Sequence, residues 1–144
     1  MVSLFNAALE GDLQMVNKII SRRGAQVLFP SDIGQSGATP LFAAAYKGHD
    51  NVVSALISAD ADVNKAKTDG ATPLYIAAYK GRDNVVSALI VAGAKVNQAT
   101  NNGATPLFVA AQEGHDNVVS ALISAGANVN QATNNGATPL FVAA

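Results

Sequence analysis

The side chains of this chain that could perform chemistry are two histidines and a set of carboxylates, because the sequence contains no cysteine. His49 and His115 belong to the residue type that binds zinc or transfers protons near neutral pH. Asp50, Asp83 and Asp116 could supply paired carboxylates for general acid–base catalysis. Both possibilities require a fold that brings these residues within a few ångströms of one another.

An internal repeat of 33 residues decides that question. The string Gly-Ala-Thr-Pro-Leu occurs four times, with its threonine at Thr39, Thr72, Thr105 and Thr138. The divisions of the chain are a first segment 1–34, full units 35–67, 68–100 and 101–133, and a partial unit 134–144. Any two full units agree at 23 or 24 of 33 positions. The fold must therefore be built from near-identical pieces.

Each unit predicts two short helices. Thr39 is a good N-cap and Pro40 a good first helical residue, because proline lacks the N–H that would otherwise be unpaired there. Gly48 ends this helix, and a second helix is expected to begin near Asp50, with the aspartate as its N-cap. The apolar residues of each helix fall on one stripe, which so short a helix pair cannot bury alone. The units must therefore stack on one another.

Stacking separates the candidate catalytic residues. Neighbouring helices pack about 8–10 Å apart, which places His49 and His115, two units apart, about 20 Å from each other. A zinc ion needs its ligands at about 2 Å, so the histidines cannot share one. The three aspartates are also one unit apart from each other, and their expected role is to begin helices. We find no pattern for an enzyme, a metal site or a cofactor.

The 33-residue unit resembles the ankyrin repeat. The resemblance rests on Thr-Pro-Leu-Phe-Ala-Ala-Ala at 39–45, Gly-His at 48–49, Asp-Ala-Asp-Val-Asn at 60–64 and their copies. It implies an all-α solenoid of stacked helix-turn-helix units joined by short β-hairpin-like loops. The implied domain, 1–144, has an N-terminal capping repeat, three full repeats and one truncated repeat. The family pattern has histidine where this chain has Phe42, which leaves open how neighbouring loops are bonded.

The resemblance also implies a function, because ankyrin-repeat proteins bind partner proteins or peptides in a concave groove and at the hairpin tips. Positions that differ between units are the candidates for that surface. At the ends of the first helices they are Tyr46, Lys47, Tyr79, Lys80, Gln112 and Glu113. At the hairpin tips they are Gln35, Ser36, Thr68, Asp69, Asn101 and Asn102. Tyr46 and Tyr79 are the strongest candidates, because tyrosine offers a large contact area at low entropic cost.

Composition restricts the partner and leaves a second function open. The net charge is −1 and charged residues make up 13% of the chain, which argues against binding nucleic acid or an anionic membrane. No apolar run approaches the ~18–20 residues of a membrane span, and the N-terminus lacks a signal-peptide pattern, so we expect a cytoplasmic protein. The alternative function is a structural scaffold or spacer, or an engineered array without a native partner. Near-identical units fit recent duplication and design equally well.

One modification site is implied by the resemblance alone. In ankyrin repeats the asparagine of the Asp-Val-Asn turn can be hydroxylated when a leucine lies eight residues before it and an acid two residues before it. Asn64 meets this pattern with Leu56 and Asp62, whereas Asn97 and Asn130 lack the acid. In structural terms we expect all three asparagines to hydrogen-bond their own turns.

Two expectations concern the ends of the repeat array. Three extra residues are expected in the first hairpin, around 28–31. At the other end, the half-unit 134–144 covers the apolar stripe of the helix before it incompletely, and its own Leu140, Phe141 and Val142 are expected to be exposed to water. We therefore expect the chain to be an N-terminal piece of a longer array, and to self-associate weakly end to end through residues 118–144.

Overall fold

Eight α-helices form the part of the protein that its computed structural model describes, residues 3–23 and 32–140. The helices are α1 (Leu4–Glu10), α2 (Leu13–Arg23), α3 (Pro40–Lys47), α4 (Asp50–Ser58), α5 (Pro73–Lys80), α6 (Asp83–Val91), α7 (Pro106–Gln112) and α8 (Asp116–Ser124). A 3₁₀ turn, Gln35–Gly37, precedes α3. Within the described ranges the chain contains no strand.

The helices form two layers, as expected for a solenoid. Helices α1, α3, α5 and α7 contact one another in sequence, as do α2, α4, α6 and α8, and each unit's two helices contact each other. Alanines such as Ala44 and Ala77 are fully buried in the first layer, while Leu56 and Leu89 are buried in the second. Because alanine is small, the first-layer helices can approach closely, and the leucines fill the space between the layers. The predicted all-α solenoid is confirmed.

The predicted helix boundaries of the first layer are confirmed by their caps. The hydroxyl oxygen of Thr39 accepts a hydrogen bond from the backbone N–H of Phe42 at 3.1 Å, and Thr72 and Thr105 repeat this geometry. Ser3 takes the same role for α1, which lacks the Thr-Pro opening. Gly48 follows α3 with a φ of 75°, a left-handed conformation that glycine adopts without steric strain.

The prediction that Asp50 caps the second helix was wrong. The N-cap residues of α4, α6 and α8 are His49, Arg82 and His115, and none of them makes a side-chain cap hydrogen bond. Asp50 is instead the first helical residue, where its charge still favours the positive helix end. Its Oδ2 accepts a hydrogen bond from Asn84 Nδ2 of the next unit at 3.1 Å, and the same pair recurs one unit later at 3.2 Å. The carboxylate therefore connects units rather than closing its own helix.

The N-terminal segment forms the expected helix pair and contains a buried ion pair. Arg23 Nη2 at the end of α2 lies 2.7 Å from Asp32 Oδ2, and the Asp32 side chain is fully buried. The other carboxylate oxygen of Asp32 accepts a hydrogen bond from the backbone N–H of Leu4 at 2.8 Å. One buried carboxylate thus joins the start of α1 to the end of α2. The extra residues expected around 28–31 lie outside the described residues.

Candidate functional site

The two histidines connect consecutive units of the stack. Each ring, and the guanidinium that replaces it in the middle unit, lies against a backbone carbonyl of the preceding unit. These contacts are His49 Nε2 to Leu9 O at 3.1 Å, Arg82 Nη2 to Tyr46 O at 3.3 Å and His115 Nε2 to Tyr79 O at 2.9 Å. A Cβ added to Gly48 would lie 2.8 Å from Arg82 Cδ. The Arg82 side chain therefore reaches the preceding unit only because that unit has a glycine at position 48. The histidines are thereby accounted for as structural residues.

The carboxylates likewise serve the stack. Asp50 and Asp83 each accept a hydrogen bond from an asparagine of the next unit. Throughout residues 3–23 and 32–140, no group of three or more His, Asp or Glu side chains lies close enough together to hold a metal ion. The surfaces that could bind a partner are the first helices of the units and the hairpin tips beside them, where two clefts lie.

Two clefts lie between the first helices and the tips. The first has a volume of about 380 Å³ and lies between α1, α3 and the first tip; its lining residues include Phe5, Leu9, Ala38, Phe42, Tyr46 and Lys67. The second, of about 600 Å³, is lined by residues such as Tyr75, Asn102, Phe108, Gln112 and Asn134. The first cleft has an apolar floor, and amides line much of the second. We call the two clefts and the exposed helix ends beside them the groove.

Of the predicted binding residues at the helix ends, Tyr46 lines the first cleft and Gln112 lines the second, and four of the six form one cluster. Lys80 Nζ lies 4.8 Å from the centre of the Tyr46 ring and 5.7 Å from that of Tyr79. Lys47 Nζ lies 5.7 Å from the Tyr46 ring. These are cation–π distances, worth about 0.5–1 kcal/mol each at an exposed site. The two tyrosines remain 37% and 38% exposed, so the aromatic–lysine cluster (Tyr46, Lys47, Tyr79, Lys80) is open to a ligand.

The predicted residues at the tips are exposed and also connect one tip to the next. The backbone N–H of Thr68 donates to Ser36 O at 2.8 Å, and that of Asn101 donates to Asp69 O at 2.9 Å. The Asn101 side chain adds a hydrogen bond to Thr68 O at 3.0 Å. These bonds hold the tips in a row beside the groove. Gln112 and Glu113 are exposed at the end of α7, next to the second cleft.

The family to which this architecture belongs follows from comparison with known proteins. A family model for ankyrin repeats (three copies) matches residues 4–100 and 83–144. The chain belongs to the ankyrin-repeat family. Ankyrin repeats are generally protein–protein interaction modules, and the family is typically non-enzymatic. No curated protein matches the chain significantly. In the described part of the chain no helix is long and apolar enough to cross a membrane.

The ankyrin tips remain bonded to one another although Phe42 stands where the family pattern has histidine. Several of the tip-to-tip hydrogen bonds join backbone groups, and these do not depend on the side chain at position 42. The Phe42 ring itself packs beside a lysine, with Lys67 Nζ 5.1 Å from the ring centre. Hydrogen bonds between neighbouring tips are therefore present, and the Phe42 ring makes a cation–π contact with Lys67 at the first cleft.

Sequence reasoning missed the floor and the far wall of the first cleft, formed by Phe5, Leu9, Phe42 and Lys67. Phe5 and Leu9 belong to the capping repeat, which has no close copy in the chain. Lys67 does carry a signal, because the next two repeats have threonine at its position. Those threonine hydroxyls accept a hydrogen bond within their own tips, a role that Asp69 fills in the hairpin between units 35–67 and 68–100.

The Asp-Val-Asn turns also connect ankyrin repeats. Asn64 Oδ1 accepts a hydrogen bond from the backbone N–H of Lys95 at 2.8 Å, and Asn97 does the same with Asn128. The expectation that these side chains bond their own turns was therefore wrong for both. Within its own turn, Asn64 contributes its backbone N–H, which donates to Asp62 Oδ1 at 2.9 Å. The predicted modification site is thus part of a contact between repeats.

Tyr75 lies on the wall of the second cleft, and its pKa is raised above the ordinary value of 10.0. The main cause is burial, which disfavours the charged phenolate. The negative charges of Asp69 and of ionised Tyr79 raise it further. At neutral pH the residue therefore offers this cleft a neutral phenol.

Proposed function

We propose that this ankyrin-repeat chain binds a partner protein or peptide in its groove. The observation that carries the proposal is the aromatic–lysine cluster, in which two half-exposed tyrosines hold a lysine between them across two repeats. Tyrosine is enriched at binding hot spots because its large ring loses little entropy on binding. The cation–π contacts hold the cluster in place before binding, which lowers the entropy lost when a ligand arrives.

The exposed tips form the second wall of the proposed interface. Gln35, Ser36, Thr68, Asp69, Asn101 and Asn102 are exposed along one row. Because backbone hydrogen bonds join neighbouring tips, the row presents a fixed set of polar groups. We expect these groups to form the polar rim of the interface and the cluster its centre.

A site-specific photo-cross-linking experiment tests the proposal. A photoreactive amino acid replaces Tyr79 in the groove or, in the control, Ser87 on the exposed side of α6 in the second layer. We expect a partner cross-linked from position 79 and not from position 87. The Tyr46→Ala/Tyr79→Ala double variant should also lose that partner. Cross-linking from position 87 alone would place the interface on the other side of the solenoid and contradict the proposal.

A structural spacer is the second candidate function. It is favoured by the number of hydrogen bonds that cross repeat boundaries, at the His49 ring, at Asn64 and along the tips. Such bonds oppose bending between repeats, which suits a chain that holds other parts at a fixed separation. Absence of a cross-linked partner from both positions would support this function over the first.

A further inference from the structure

We infer that the N-terminal half of the groove takes an acidic peptide segment with one large apolar side chain. The inference rests on the proposed function and adds the chemistry of the partner. Its basis is the apolar floor of the first cleft, the lysine that lines the cleft, and two further lysines over the ring of Tyr46, which also lines it. The apolar side chain would enter the cleft, and the carboxylates beside it would meet the lysines.

Two of these lysines have their charges unpaired. Lys47 and Lys80 both place their ammonium groups over the Tyr46 ring, at 5.7 and 4.8 Å. Among residues 3–23 and 32–140, the ion pairs are Arg23–Asp32 and Lys67–Asp69, so neither ammonium meets a carboxylate there. Two like charges beside one aromatic ring create a positive potential at the surface of the groove. Each ammonium group is exposed and can meet a carboxylate of a ligand.

The third lysine, Lys67, lines the first cleft together with Tyr46 of the aromatic–lysine cluster. Lys67 Nζ lies 5.1 Å from the centre of the Phe42 ring and 3.8 Å from Asp69 Oδ2. The Asp69 side chain is 61% exposed, so solvent weakens this ion pair and Lys67 can also serve a ligand. Positive charge is therefore present at Lys67 in the cleft lining and over the ring of the lining residue Tyr46.

The floor between these walls is apolar. Phe5, Leu9, Ala38, Phe42 and Ala43 line the cleft. Its volume of about 380 Å³ accommodates a leucine or phenylalanine side chain. A ligand that enters this cleft gains from removing an apolar group from water, while flanking carboxylates gain from the lysines. An apolar anchor with acidic neighbours fits the site better than either feature alone.

Negatively charged residues on both sides of Lys47 and Lys80 in the repeat order limit the length of the acidic segment. The positions equivalent to Lys47 and Lys80 are Glu10 in the first repeat and Glu113 in the last full repeat. Residues 97–144 carry no charge except Glu113 and Asp116. A long polyanion such as a nucleic acid would have to pass both of these carboxylates, whereas a short acidic segment can bind at the lysines between them. The charge pattern therefore favours a peptide.

Selection from a displayed library of random twelve-residue peptides tests the inference and does not require an identified partner. The baits are the wild type, the Lys47→Glu/Lys80→Glu variant and a control, Lys65→Glu/Lys95→Glu, whose exposed lysines lie in the turns after α4 and α6. Both variants change the net charge equally. Thermal unfolding verifies that each is folded, because the first variant places glutamates at helix C-termini.

We expect the wild type and the control to enrich peptides rich in Asp and Glu around one Leu, Ile, Phe or Trp. The groove variant should stop enriching them. For one selected peptide, fluorescence anisotropy should show at least about tenfold weaker binding to the groove variant, and weaker binding at high salt. Replacing the apolar residue of the peptide with alanine should weaken binding by a similar factor.

Three results would overturn the inference: enrichment of neutral or basic peptides by the wild type, an equal effect of the control variant, or no enriched peptide. The cross-linking experiment decides the proposed function separately. A partner cross-linked from position 79 that lacks an acidic segment would leave the groove as the binding site and reject the acidic-peptide chemistry.

Discussion

Asn64 and Lys95 lie 31 residues apart in the sequence, and a hydrogen bond of 2.8 Å joins the Asn64 side-chain oxygen to the Lys95 backbone N–H. Asn64→Ala removes this bond between repeats, and we expect it to lower the free energy of unfolding by about 1 kcal/mol. Asn130→Ala is the matched control, because Asn130 ends an equivalent turn but its exposed side chain makes no such bond among the described contacts. Chemical denaturation measures both, and an equal loss would contradict the assigned role.

The same residue is the predicted hydroxylation site. Asn64 alone of the three turn asparagines has both the leucine and the acid of the sequence pattern, so we expect an asparaginyl hydroxylase to modify it first. Its hydrogen bond to Lys95 opposes this order, since Asn130 is more exposed. Mass spectrometry after incubation with the enzyme gives the order directly. Modification of Asn130 ahead of Asn64 would show that accessibility outweighs the sequence pattern.

The sequence predicted what each repeat does by itself and missed contacts between repeats. Thr39 and Gly48 act within a few residues of their own positions, so local preference located the helix correctly. Asp50 and Asn64 were assigned to their own unit, although their side chains bond the next one. Such assignments need the relative positions of two repeats, which local preference does not contain. The buried Asp32 was missed for the same reason, because its partners come from two different helices.

Because neighbouring helices pack on both sides of α6, truncation of Leu89 should destabilise the protein strongly. This residue is fully buried in α6, which contacts α4 and α8. We expect Leu89→Ala to lower the free energy of unfolding by about 2–5 kcal/mol, through lost burial and the cavity left behind. Leu140 is 75% exposed, so Leu140→Ala should change the free energy by less than about 1 kcal/mol. Equal losses would contradict a stability that depends on neighbouring repeats.

The raised pKa of Tyr75 makes the protein sensitive to alkali. In the unfolded chain the phenol loses its proton near pH 10, whereas the folded protein retains it to higher pH. The free energy of unfolding is therefore unaffected by this group below about pH 10, and it decreases as the pH rises above that value. Tyr75→Phe, which copies the phenylalanine of the neighbouring repeats, should reduce this decrease.

Absorbance titration of the three tyrosines gives an independent measurement of this pKa. Tyr75→Phe should remove a component whose pKa lies above 10.0. Asp69→Asn should lower the pKa of that component, because it removes a negative charge that disfavours the phenolate. A Tyr75→Phe protein that keeps this component would show that another tyrosine is responsible for it.

Weak self-association is the predicted behaviour of the apolar surface beside α8. A cleft of about 170 Å³ lies there, lined by Leu107, Ala111, Val119, Ile123, Val129, Pro139 and Leu140. Ile123 is 48% exposed and Leu140 is 75% exposed, whereas Phe141 and Val142 lie outside the described residues. Burying such side chains against a second copy gains about 1.5–3 kcal/mol for each one fully covered. We therefore expect dimers in sedimentation experiments as the protein concentration approaches the millimolar range.

Two charge substitutions test where these dimers form. Ile123→Lys places a charge on the apolar surface and should keep the protein monomeric, because an unpaired charge is costly to bury. Val91→Lys is the matched control, since Val91 is an apolar residue of α6, 89% exposed and absent from the lining of the cleft. We expect this control to dimerise like the wild type. A wild type that stays monomeric at millimolar concentration would reject the association, and equal effects of the two substitutions would place it elsewhere on the protein.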